Sequence, residues 1–203
     1  MITRKSHELG ATLIIVGVAF AVVADVVSWF LAEGYDPIRM TISTLAVGRA
    51  SWLIDLGLLS FAASCVLTAA GLATTLPKGG IQLVAWLSFL LLGADVAWIS
   101  FLNEYAGSSN AAADLHTWGV YALYVLFAVG AFSAASSIGR SDASAASHLR
   151  LLGLLWVVLG PVYYFWYPSA FLGAFGRLLA LLMILCVVAV ARSRSPSAVL
   201  RTS

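Results

Sequence analysis

Six apolar runs, each of about 20 residues or more, take up most of the 203-residue chain. A helix of that length spans the hydrocarbon core of a bilayer, about 30 Å at about 1.5 Å per residue. No water is present at that depth to satisfy backbone N–H and C=O groups, so each run has to be helical. The runs predict an all-α, polytopic membrane protein, a six-transmembrane-helix bundle forming a single domain over residues 1–203. The helices are expected at about 9–31, 51–75, 81–102, 115–138, 148–167 and 170–191. Composition points the same way. Only 10% of residues are charged and 62% are hydrophobic, whereas a soluble domain carries about 25% charged residues.

The first run is too long for a signal-peptide core and is read as a retained helix. Residues 32–50 form the longest connection, yet Ile38, Met40, Ile42, Leu45 and Val47 in it are apolar. Thr41 and Ser43 suit a helix cap. This segment is expected to fold back over the bundle at the membrane interface. Pro77, Lys78, Gly79 and Gly80 mark a tight turn, 103–114 and 139–147 read as loops, and Asp114 is the expected N-cap of the fourth helix. Gly160-Pro161 predicts a kink. Tyr167-Pro168-Ser169 reads as a turn and 192–203 as a disordered basic tail.

Six crossings put both termini on one side, and basic residues decide which. Eight lie on the terminal side: Arg4, Lys5, Lys78, Arg140, Arg150, Arg192, Arg194 and Arg201. Two, Arg39 and Arg49, lie on the other. Both termini are therefore expected to be cytoplasmic, in a plasma membrane. Trp29, Trp52, Trp98, Trp118, Trp166, Tyr163, Tyr164 and Tyr167 then gather at the outer interface. Cys65 and Cys186 fall inside apolar runs and read as core residues. No basic block suits nucleic acid.

Within this topology five ionisable residues share the outer half of the membrane. Asp25 lies about 9 Å below the end of its helix and Asp95 about 10 Å below, at about 1.5 Å per residue. Arg177 sits at similar depth in the sixth run, Asp55 in the first turn of the second, and His116 at the mouth of the fourth. Ser28, Thr117 and Tyr121 are expected beside them. Asp55 also has a structural reading, since a carboxylate favours a helix N-terminus. His116 beside Asp114 reads equally as a wet interfacial pair. Arg177 and one aspartate read equally as an ion pair locking helix six to helix one or three. Two deep acids against one deep base leave one carboxyl that must be protonated, reach water or bind a cation.

Three kinds of function fit these residues. Aspartates and a histidine suit acid–base or metal-assisted work on a lipid, with Ser43 or Thr41 as a nucleophile above the site, although no sequence feature marks either as activated. No metal ligands are assigned, because His116 is the sole nitrogen ligand in the outer half and zinc usually takes more. No cofactor is indicated, and the sequence leaves open whether the chain is an enzyme. Alternatively, Arg177 clamps a lipid phosphate while the surplus acid carries a proton or a cationic solute. The third reading is an assembly subunit whose polar layer fixes helix register, with small residues such as Gly57, Ala62, Gly173 and Gly176 at helix contacts.

The stretch Tyr35-Asp36-Pro37-Ile38-Arg39-Met40-Thr41-Ile42-Ser43-Thr44-Leu45, followed by Gly48 and Trp52, resembles the signature of the bacterial and archaeal membrane proteins of domain-of-unknown-function family 998. Members of that family carry a histidine like His116 and an arginine like Arg177. Many have an acid and a glycine where this chain has Thr44 and Ala46. The family is distantly similar to six-helix membrane proteins that include a GPI-lipid remodelling factor and autophagy modulators. The resemblance implies a lipid-related role. The expected site is an outward-facing pocket lined by Asp25, Asp95, His116 and Arg177, with Asp55, Arg39, Ser43, Trp98 and Tyr164 nearby and residues 35–50 as its cover. Arg177 is the expected anion clamp. Expected partners are membrane lipids, a small polar or cationic ligand and, as an open alternative, further copies of the chain.

Overall fold

The computed structural model describes residues 4–75, 79–166 and 169–193. Six helices dominate them: α1 (Arg4–Leu31), α2 (Ser51–Thr75), α3 (Gly80–Leu102), α4 (Ala111–Ile138), α5 (Ala143–Pro161) and α6 (Leu172–Ser193). There is no strand among the described residues. All six helices are long and apolar enough to cross a membrane. Leu13, Val16, Phe20 and Val23 on α1 and Leu151, Leu154 and Val158 on α5 stay exposed. Apolar side chains turned outward along whole helices belong in lipid, so this is a multi-pass membrane protein.

The helices run round the bundle in chain order. Each packs on its sequence neighbours, and α6 closes the ring against α1 through a sparser seam. The centre is filled by Phe89, Leu92, Phe127 and Trp156, all but fully buried. Cys65 and Cys186 are buried free thiols in this core. Serines of α2 fasten α1, Ser60 Oγ donating to the Gly17 carbonyl at 2.8 Å and Ser64 Oγ to that of Ile14 at 3.3 Å. Added methyl groups at Gly57 and Gly93 would press on Ala24 of α1 and on Val66 of α2 at 2.8 Å. Small residues therefore set these close approaches.

Three helices begin several residues earlier than the sequence suggests: α1 starts at Arg4 rather than near residue 9, and α4 and α5 are lengthened by new caps. The N-cap of α4 is Asn110, whose side chain accepts the Ala113 N–H at 3.0 Å, so Asp114 lies inside the first turn. Asp142 caps α5 by accepting the Ala145 N–H at 2.9 Å. That cap draws the alanine-rich stretch 143–147, read as loop, into the helix. At the far end α5 continues through Pro161 and widens into a π turn, Val162–Trp166. Pro161 has no N–H for the Val157 carbonyl. Tyr124 of α4 supplies the missing donor, its hydroxyl reaching that carbonyl at 3.0 Å.

α6 is entered through a short turn, Ser169–Phe171, and includes Arg192 and Ser193, expected in the tail. The turn expected at Pro77-Lys78, the pair Tyr167-Pro168 and the tail from residue 194 lie outside the described residues.

The 32–50 connection folds back as expected, with a 3-10 turn at Ile42–Ala46 packed on α2. It also touches the turn Asn103–Tyr105 at the end of α3. Leu45 and Ala46 are buried beneath it.

Candidate functional site

The expected polar layer divides between two places, both beneath the 42–46 turn. At the first, Arg177 of α6 meets Asp25 of α1 in a two-pronged pair. Nε donates to Oδ2 at 2.8 Å and Nη2 to Oδ1 at 2.9 Å. Nη2 also donates to the Tyr35 hydroxyl at 2.6 Å. Nη1 reaches the carbonyls of Pro37 (2.9 Å), Met40 (3.2 Å) and Gly173 (3.3 Å). A guanidinium has five N–H donors, one on Nε and two on each Nη, and all five meet acceptors here. The rings of Trp29 and Tyr35 flank the cation at 4.9 and 5.6 Å.

These bonds stitch the chain after α1 onto α6. The Ala174 N–H adds a bond to the Ile38 carbonyl at 2.9 Å. Gly173 makes the close approach possible, because a β-carbon there would strike the Met40 and Pro37 carbonyl oxygens. Burial pushes the Tyr35 hydroxyl above its ordinary pKa, against the lowering effect of Arg177. Tyr35 therefore stays protonated and donates toward the Met40 and Thr41 carbonyls, each at 2.9 Å.

Beside this pair runs a slot between α1, α2 and α6, a cavity of about 320 Å³. Asp25, Trp29 and Arg177 stand along it, and the rest of its wall is apolar, including Leu58, Phe61 and Ile184. Val22, Val26 and Leu181 belong both to the slot and to the exposed flank of the bundle. The slot therefore reaches the face that lipid covers.

The second place lies between α2, α3 and α4. His116 is 6% exposed, and its Nε2 lies 3.5 Å from Ser43 Oγ. Its Nδ1 is buried and has no hydrogen-bond partner among the described residues. Asp95 lies against Gly119, one turn deeper on both helices, and has no hydrogen-bond partner for its buried Oδ2. The Asp55 carboxylate faces Asn103 and Ser100. Asp55 Oδ1 and both amide atoms of Asn103, which is 1% exposed, remain without partners. No group of three or more His, Cys, Asp or Glu side chains suited to a metal occurs among the described residues.

The model of a family described as a protein of unknown function, DUF998, matches residues 15–193. The chain belongs to the DUF998 family. Every residue of both places lies inside that match. No curated protein and no solved structure matches the chain.

Several expected site residues of this DUF998 protein stand elsewhere. Arg39 is exposed and pairs with Asp36 at 3.6 Å, three residues away in the same turn. Trp98 is 48% exposed on the outside of α3. Tyr164 donates to the Val120 carbonyl at 3.3 Å and packs among Tyr121, Tyr124 and Tyr163, away from either place. Ser28 and Thr117 bond back to Ala24 and Ala113 on their own helices. Arg177 keeps no free donor for an anion, because its own fold consumes all of them. The sequence placed Trp29 in the aromatic belt, Gly173 at a helix contact and Tyr35 in the signature stretch, without assigning any of them to the site, and it did not single out Asn103.

Proposed function

We propose that this membrane protein binds an amphiphile of the outer leaflet, its apolar chain in the slot between α1, α2 and α6. The observation that carries the reading is the slot itself, apolar along most of its wall and shared with the lipid-covered flank. Burying an apolar chain among such residues is favourable by about 25 cal/mol per Å². The Asp25–Arg177 pair marks the polar end. Its charges are balanced internally, so it suits an uncharged or zwitterionic headgroup better than a bare phosphate. A charged group would have to compete with bonds already made.

The experiment is native mass spectrometry of protein extracted gently in detergent, wild type against Ala180→Phe. Ala180 lines the slot, and a benzyl group there fills it. The expected result is a lipid adduct on the wild type that is lost from a variant with an unchanged helical spectrum and melting curve. No adduct on the wild type, or an adduct equally retained by the folded variant, rejects the reading.

A further inference from the structure

We infer that Ser43 and His116 form a nucleophile–base dyad for acyl transfer on carboxylic esters of membrane amphiphiles. The two residues are 73 positions apart, on the 42–46 turn and on α4, and the fold brings Ser43 Oγ and His116 Nε2 to 3.5 Å. The neighbouring hydroxyls are occupied with each other, Thr41 Oγ1 and Thr44 Oγ1 lying 3.0 Å apart. Ser43 Oγ is left to the imidazole. In the tautomer that carries its proton on Nδ1, Nε2 is the acceptor that a serine hydroxyl requires. A separation at the loose end of hydrogen-bond range is usual for such a pair before substrate binds.

The surroundings suit the chemistry. His116 is buried, while Ser43 is half-buried on a turn at the end of the bundle. A base shielded from bulk water beneath a reachable hydroxyl is the arrangement that nucleophilic catalysis uses. An imidazolium formed on His116 would lie three residues, or ~4.5 Å along the axis, from the Asp95–Gly119 contact, so an unpaired carboxyl stands in the same seam to balance it. Ester linkages of lipids lie at the membrane interface, the level at which the 42–46 turn covers the bundle.

In the first step Ser43 Oγ adds to the ester carbonyl carbon as its proton passes to His116 Nε2. The bond to the alcohol oxygen breaks, the proton leaves with the alcohol, and the acyl group stays on Ser43. Water is the second reactant. It gives one proton to Nε2 while its oxygen adds to the acyl carbon, the bond to Ser43 breaks, and the proton returns to Oγ as a carboxylic acid departs.

The assignment goes beyond the slot and fails separately from it. The probe is an alkyl fluorophosphonate, applied to the full chain in detergent, with the adduct located by peptide mass spectrometry. Ser43 is expected to be phosphonylated in preference to Thr41 and Thr44. Labelling should vanish in Ser43→Ala and fall about 100-fold or more in His116→Gln. The slot is read separately, by the lipid adduct on unlabelled wild type in native mass spectrometry, so either reading can fail alone. Should His116→Gln fail to fold, selective labelling of Ser43 in the native chain still decides. A wild-type protein without an adduct on Ser43, or a folded His116→Gln protein labelled at the wild-type rate, overturns the dyad.

Discussion

Arg177 and Asp25 are 152 residues apart in the chain and share two parallel hydrogen bonds of 2.8 and 2.9 Å. Through Arg177 the same cation holds the segment that follows α1 by its Tyr35 hydroxyl and by two of its carbonyls. One side chain of α6 thereby fastens the first helix and the cover of the bundle together. Removing either partner leaves a buried charge without compensation, at a cost of about 3–5 kcal/mol. Arg177→Ala and Asp25→Asn should each lower the melting temperature in detergent sharply. Arg177→Lys should recover little of it, since an ammonium cannot reproduce the planar fork.

Asp95 provides the contrast. No hydrogen bond or ion pair engages its carboxyl, so Asp95→Asn removes no contact and takes a potential charge out of the membrane. Its melting temperature should equal or exceed that of the wild type, measured beside Asp25→Asn in the same detergent. A loss as large as that of Asp25→Asn would mean that Asp95 has a partner.

Gly173→Ala should detach the cover from α6. The added methyl group meets the carbonyl oxygens that Arg177 also contacts, and relief requires the backbone to shift. Overpacking of this kind costs about 1–3 kcal/mol. Hydrogen exchange should rise across 35–46 and at the start of α6 before it rises in α3 or α4.

Tyr124→Phe should destabilise the α4–α5 contact by about 1–3 kcal/mol. The hydroxyl is the donor that replaces the N–H missing at Pro161, and no water is present in lipid to take its place. Pro161→Ala in the same background restores a backbone donor. The double variant should melt higher than Tyr124→Phe alone.

Alkaline titration tests Tyr35. Its folded pKa is raised above the ordinary value of 10.0. As pH climbs past 10.0, the unfolded chain loses this proton first and the folded chain holds it, so stability falls with rising pH until the folded group also ionises. Tyr35→Phe should melt lower at neutral pH, having lost the bonds to Arg177 and the loop carbonyls. It should also show a shallower decline above pH 10.0, read as the difference between the two melting profiles.

The six apolar helices, and the places of Asp25, Asp95 and Arg177 along them, were legible because hydropathy marks each helix and helical rise fixes position along it. Which carboxyl pairs with Arg177 was not. Asp25 and Asp95 stand at similar distances from the ends of their helices, and the choice depends on α6 closing against α1 rather than α3. The local pattern of neither helix encodes that packing. Asn110 and Asp114 are both good caps, and only the path of the preceding loop selects between them. The approach of Ser43 to His116 needed the fold-back of residues 32–50, which their apolar content foreshadowed without giving its register.

Consecutive residues of the 42–46 turn face different places: Ile42 lines the slot, and Ser43 stands over His116. The two places share one roof. The Arg177 fork holds the segment that leads into it by Tyr35 and by the carbonyls of Pro37 and Met40, so a single side chain of α6 bears on where both Ile42 and Ser43 stand.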